Sequence, residues 1–199
     1  MLDVDHVQGR LISQIPPGWK VRGPSASSRP MSLGVFVDYE ISRSGKSACI
    51  LSVDATSNEW GTVLQSFSAD DYRGRRVRFS GWLKTFRVSG WAGLWMGVDT
   101  ESLERVAYDD MEDRFVDGTT DWTRYSVVLD VDEFAAVINI GFKLHGRGQV
   151  WLDDCTFEVV GPDVSLTDQF PLGRRPRYII SRPLFDGPVN LSFDEETIE

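Results

Sequence analysis

The sequence predicts an all-β fold, an antiparallel β-sandwich. Two observations carry that prediction. Eight short runs of alternating apolar and polar residues recur between about residues 33 and 160, each bounded by turn-forming residues. No segment between them has the spacing of a convincing amphipathic helix, so a sandwich or barrel is the architecture that buries the apolar halves.

Residues 1–30 read as an irregular N-terminal segment, because "PPGW" and "GPSASSRP" are loop material. The expected strands follow at 33–42, 47–54, 61–68, 75–86, 91–99, 122–131, 137–145 and 149–160. "DEFAAVINI" could open as a helical turn, but the β-branched Val137, Ile138 and Ile140 favour a strand. In "WLDDCTF" the alternation slips: Val150 and Leu152 follow one parity, Cys155 and Phe157 the other, which a bulge at Asp153–Asp154 explains. The sandwich is thus expected over 31–160. Residues 161–199 mix prolines with apolar residues and read as an extended C-terminal arm. Such an arm packs on its own sandwich, or on a second copy to make a homodimer, or remains a free tail.

Alternation splits each strand into two faces. In 91–99 the apolar parity is Ala92, Leu94, Met96 and Val98, against Trp91, Gly93, Trp95, Gly97 and Asp99. In 76–84 it is Val77, Phe79, Gly81 and Leu83, against Arg76, Arg78, Ser80, Trp82 and Lys84. In 138–145 it is Ile138, Ile140, Phe142 and Leu144, against Asn139, Gly141, Lys143 and His145. If the three strands share one sheet, indoles, cations, an acid and an imidazole share one face, with glycines leaving a trough. Aromatic-lined hollows with a few placed polar groups suit small ligands. The alternative is that Trp91 and Trp95 are covered by the chain's own termini as a second small core.

Composition narrows the function classes. A net charge of −9 argues against nucleic acid as the main partner, and the one dense basic run, "RGRRVR" at 73–78, reads as a solvated strand edge. No run approaches the ~20 apolar residues of a membrane span. No secretion signal is visible at the N-terminus, so a cytoplasmic protein with free, buried Cys49 and Cys155 is expected.

"YRGRRVRFSGWLKT", "GWAGLWMGVD", "GTTDWTRYSVVLDV" and "GQVWLDDCTFEVV" together resemble a galactose-binding-like β-sandwich of the carbohydrate-binding-module type, over about residues 30–160. The resemblance implies a jelly roll with ligands on its concave sheet or end loops. It implies that Trp82, Trp91 and Trp95 stack on sugar rings while Arg78, Asn139, Asp99, Lys143 and His145 bond hydroxyls. Trp91 and Trp95 would stand about 13 Å apart along a strand, so a small ligand would lie between them. It also implies a structural calcium, for which Asp154 and Glu40 are the candidate ligands.

Nucleophile, P-loop and zinc-protease signatures are absent from the sequence. The acidic run "YDDMEDR" at 108–114 reads as a solvated loop, with a paired-carboxylate glycosidase as its sharper alternative. One enzymatic class needs no motif: a cofactor-independent cyclase or isomerase for a small, partly apolar metabolite, with Asp99, Lys143 and His145 as acid–base groups. Three functions therefore stand: carbohydrate or small-ligand binding, cofactor-free catalysis in the same pocket, and an interaction domain whose tryptophan face is covered.

Overall fold

The computed structural model describes residues 15–23, 33–53, 55, 59–168, 183 and 185–196. Its strands are β1 (Lys20–Arg22), β2 (Leu33–Asp38), β3 (Ser47–Ser52), β4 (Trp60–Ser68), β5 (Arg76–Thr100), β6 (Arg105–Asp109), β7 (Val116–Asp130), β8 (Ala135–His145) and β9 (Gly148–Val160). All pairings between them are antiparallel. The all-β jelly-roll sandwich is the fold.

β5 decides the architecture. The runs 75–86 and 91–99 are one strand of 25 residues that passes through both layers. Its first half, to Phe86, lies between β7 and β9, and its second half, from Trp91, lies between β8 and β6. The first layer is therefore β2-β3-β9-β5-β7 and the second β1-β4-β8-β5-β6. The corner sits at Arg87, which takes φ 53°, and at Gly90, where a Cβ would stand 2.4 Å from the His145 carbonyl oxygen. β7 turns the same corner, with Gly118 at φ 62°.

The apolar parities meet between the layers. Val77, Phe79 and Leu83 face Ala92, Leu94, Met96, Val98, Ile138, Ile140, Phe142 and Leu144 in one buried cluster. Each large side chain so buried contributes about 1.5–3 kcal/mol. The β9 bulge is present: the β5 register shifts between Ser80 and Trp82, and Asp154 takes φ 53°. It returns Cys155 to the core, where burial pushes both its thiol and that of Cys49 well up; both are free thiols.

The "RGRRVR" arginines behave as surface groups. Arg73 binds the Ala135 carbonyl and Asp70, Arg76 pairs with Asp130, and Arg78 with Glu158.

The termini do more than the sequence suggested. Residues 20–22, expected to be irregular, add strand β1 to the edge of β4. The described part of the arm packs on its own sandwich. Thr167 bonds the edge of β7 at Val128, Gln65 exchanges two hydrogen bonds with Val189, and Phe193 packs against Trp19 at 5.1 Å. The Trp19 indole donates to the Asn190 carbonyl, so the two ends lock together. This is the self-packing alternative, realised for 161–168 and 185–196; residues 169–182, and His6 at the other end, lie outside the described residues.

Candidate functional site

The outer face of the second layer is built from cross-strand rows on β4, β8 and β5. The first row is Trp60, His145 and Trp91, the second Thr62, Lys143 and Gly93, the third Leu64, Gly141 and Trp95. The fourth is Ser66, Asn139 and Gly97, the fifth Ser68, Val137 and Asp99. Residues directly opposite one another share a face and touch. The trough that the glycines leave is real, but the chain fills most of it. The Trp95 indole lies over Gly141, Arg105 over Gly97, and Asp110 with Met111 over Gly93, each within about 3.1 Å of where a Cβ would stand.

Two buried ion pairs hold this filling. Arg105 binds both oxygens of Asp99 at 2.8 and 3.0 Å, and Asn139 donates to Asp99 at 2.7 Å while accepting from Ser66. Burial raises the Asp99 pKa, with Arg105 and Asn139 opposing the rise. Lys143 donates to Asp110 at 2.8 Å and to the Tyr108 hydroxyl at 3.0 Å, and Tyr108 in turn donates to Asp110. Burial lowers the Lys143 pKa against the pull of Asp110. The Trp95 N–H donates to Thr62, whose hydroxyl donates to the Phe142 carbonyl.

The first row stays partly open. The Trp91 and His145 rings stack at 4.1 Å and 10°, and Trp60 follows at 6.4 Å from His145. Phe115, 48% exposed, flanks Trp91, and the Lys143 ammonium stands 5.2 Å over the Trp91 ring. Burial, then the Lys143 charge, pulls the His145 pKa down to about 4. The unfolded chain takes up that proton near pH 6.5, the folded chain only near 4. Stability therefore falls as pH drops through this window. His145 is partly solvated, so the expected loss is about 1–2 kcal/mol, below the full linkage value. Urea unfolding at pH 7 and pH 4.5 checks it: His145→Gln should flatten the difference, and an unchanged difference would refute the assignment.

The expected site residues thus separate. Trp91, Trp95, Asp99, Asn139, Lys143 and His145 share this face. Trp82 and Arg78 do not: they lie in the first half of β5 and point outward from the opposite layer, because the strand changes layer between them and Trp91. Asp99 and Lys143 are sealed in ion pairs, and His145 is held neutral at neutral pH. Trp60, Thr62 and Arg105 belong to the site and were not singled out from sequence, while Tyr108 and Asp110 come from the acidic run at 108–114 that was read as a loop.

"YDDMEDR" is not a freely solvated loop. Asp109 is buried, accepts from the Met111 amide and pairs with Arg114, while Asp110 is spent on Lys143. The calcium candidates do not form a cage either. Asp153 accepts three backbone N–H bonds, from Arg43, Ser44 and Asp154, and Asp154 pairs with the Arg43 guanidinium. A guanidinium at that carboxylate disfavours a cation there. Glu40 lies exposed, and among the described residues no group of three or more acidic, His or Cys side chains could hold a metal.

No protein-family model matches the chain. It is 39% identical over 181 residues to the uncharacterized HTH-type transcriptional regulator YbfP of Bacillus subtilis (strain 168), covering 90% of this chain. The chain spans 57% of the length of that relative. Among solved structures it is similar to the C-terminal family 22 carbohydrate-binding module of Clostridium thermocellum Xyn10B. The TM-score is 0.51 at 15% identity, with 72% of this chain and 87% of that one covered. It is also similar to the enzymatically active domain of bacteriophage CBA120 tailspike protein 4. There the TM-score is 0.53 at 11% identity, covering 72% of this chain and 19% of that one. The fold is that of the β-sandwich carbohydrate-binding modules.

Proposed function

We propose that the sandwich recognises a small polyhydroxylated ligand, a carbohydrate, at the Trp60–His145–Trp91 end of the second layer. One observation carries this reading. A row of three partly open rings stands over a buried Lys143–Tyr108–Asp110 cluster that fixes its place, so apolar ring surface and the half-buried His145 imidazole meet at one place. Sugars present apolar C–H faces and hydroxyl edges, which such a place matches. Buried ion pairs are weak evidence for stability, and a dense cluster of shifted groups marks a candidate functional site. The similarity to a carbohydrate-binding module supports the same reading.

The similarity to a regulator suggests what binding is for. The described residues fold as strands, with one three-residue helical turn among them. On this reading the helix-turn-helix for which the relative is named lies in the part of its length that this chain does not span. On this reading the sandwich is the ligand-sensing part of such a regulator.

Tryptophan-fluorescence titration with a panel of xylo- and gluco-oligosaccharides tests it. Trp91→Ala is expected to weaken binding tenfold or more, about 1.4 kcal/mol, with Trp82→Ala unaffected. No response from any sugar, or equal binding by Trp91→Ala, would sink the proposal. The hydrogen-bonded Lys143–Tyr108–Asp110 cluster also supports the enzymatic reading, a cofactor-independent isomerase or cyclase. That reading requires turnover that Tyr108→Phe abolishes while ligand affinity is kept.

A further inference from the structure

The outer face of the first layer carries a second, separately built constellation around Trp82. The Arg43 guanidinium lies 3.6 Å over the Trp82 ring. Arg124 is the residue directly opposite Trp82 on β7, so its exposed side chain shares that face. Trp122, two positions along β7 on the same face, is half-buried.

Arg43 is held there by an unusual amount of structure. It sits on the loop between β2 and β3, and three carboxylates staple that loop. Asp38 accepts the amides of Glu40 and Ile41, the fully buried Asp153 accepts those of Arg43 and Ser44, and Asp194 accepts that of Lys46. The perch is rigid, and what it presents outward is one stacked guanidinium. Its donors are not used up: Asp154 stands 3.6 Å from Nε, beyond hydrogen-bond reach, and no side-chain hydrogen bond of Arg43 occurs among the described residues. Among the described residues Arg124 makes one bond, 3.2 Å, to Thr156. A guanidinium flat on an indole keeps its N–H edge free and pre-oriented for a planar or tetrahedral oxyanion. Pre-orientation removes the entropic cost that makes ordinary surface arginines poor binders.

We propose that Arg43, Trp82 and Arg124 form an oxyanion site on the first layer, taking a carboxylate or phosphate borne on a sugar-sized ring. The oxyanion bridges the two guanidiniums, Asp154 gives way as it arrives, and the Trp122 indole supports the ring. The site is separate from the second-layer face and does not depend on it.

Calorimetric titration with methyl β-glucuronide, glucose 6-phosphate and neutral methyl β-glucoside tests the site, with the Trp82 indole N–H followed by NMR. At least one of the two anions is expected to bind and to shift Trp82, with the neutral glycoside at least tenfold weaker there. Preference between the two anions identifies whether the natural group is a uronate or a phosphate ester. Arg43→Ala and Arg124→Ala should each weaken the anion tenfold or more, and Arg43→Lys should not restore it, since an ammonium offers no fork. Both side chains are solvent-exposed, and unchanged melting curves would separate lost binding from lost fold. Trp91→Ala should leave anion binding intact, so this site and the second-layer reading stand or fall apart. Neither anion binding at millimolar concentration, equal binding of the neutral glycoside, or unaffected arginine variants would overturn the proposal.

Discussion

Asp99→Leu is expected to destabilise the folded chain by about 3–5 kcal/mol, the usual cost of leaving a buried charge without its partner. Both side chains of the Asp99–Arg105 pair are only 1% exposed. The leucine removes the acceptor for two Arg105 donors and for the Asn139 amide at once. The guanidinium cannot shed its charge, because arginine stays protonated. It must either remain uncompensated over Gly97 or drag β6 off the sheet to reach water. The double variant Asp99→Leu/Arg105→Met should recover most of the loss, because the low-dielectric space is then filled by apolar groups of similar size. Urea unfolding of the two single variants and the double variant closes the cycle, with equal slopes required for the comparison. A single-variant cost below about 1 kcal/mol would mean that the pair is solvated like a surface bridge.

Lys143→Met is the second large effect, expected at about 3 kcal/mol. It strands the Asp110 carboxylate and removes an ammonium that donates to both Asp110 and Tyr108. Asp110 lies in the connection after β6, 9% exposed at its side chain, so the segment has a way out: it can lift and hydrate the acid. The consequence is local as well as global. Amide exchange should accelerate over residues 105–114 in the variant while the β4–β8 ladder stays protected. Uniform acceleration across both would contradict the assignment of Lys143 as the clasp of this segment.

Much of the fold was legible in the alternation. The apolar parities of β5 and β8 are the ones that meet between the layers, and the slip in "WLDDCTF" is a bulge. The layer change was not legible. A strand that turns a corner keeps its period of two on each side, so Trp82 and Trp91 read as neighbours although they face opposite directions. The corner residue Arg87 takes a left-handed conformation without being glycine, which removes the usual signal. The Lys143–Asp110 and Asp99–Arg105 pairs were invisible for another reason. Asp99 and Lys143 read as site groups from their parity, but the alternation does not give their partners, and only β6, five residues long, brings Arg105 and Tyr108 onto the face. Trp60 and Thr62 could have been found by splitting 61–68 into faces and extending it by one residue.

A ligand held by the second layer at its open row of rings must perturb the indoles there. The chain has seven tryptophans, each with a distinct environment and its own indole N–H signal. Following those signals during titration with an oligosaccharide locates the ligand. Shifts are expected for Trp91 and Trp60, with Trp19 and Trp151 silent because their indoles are buried and bonded to Asn190 and Asp38. Shifts confined to Trp82 and Trp122, or no shift at saturating sugar, would contradict that placement.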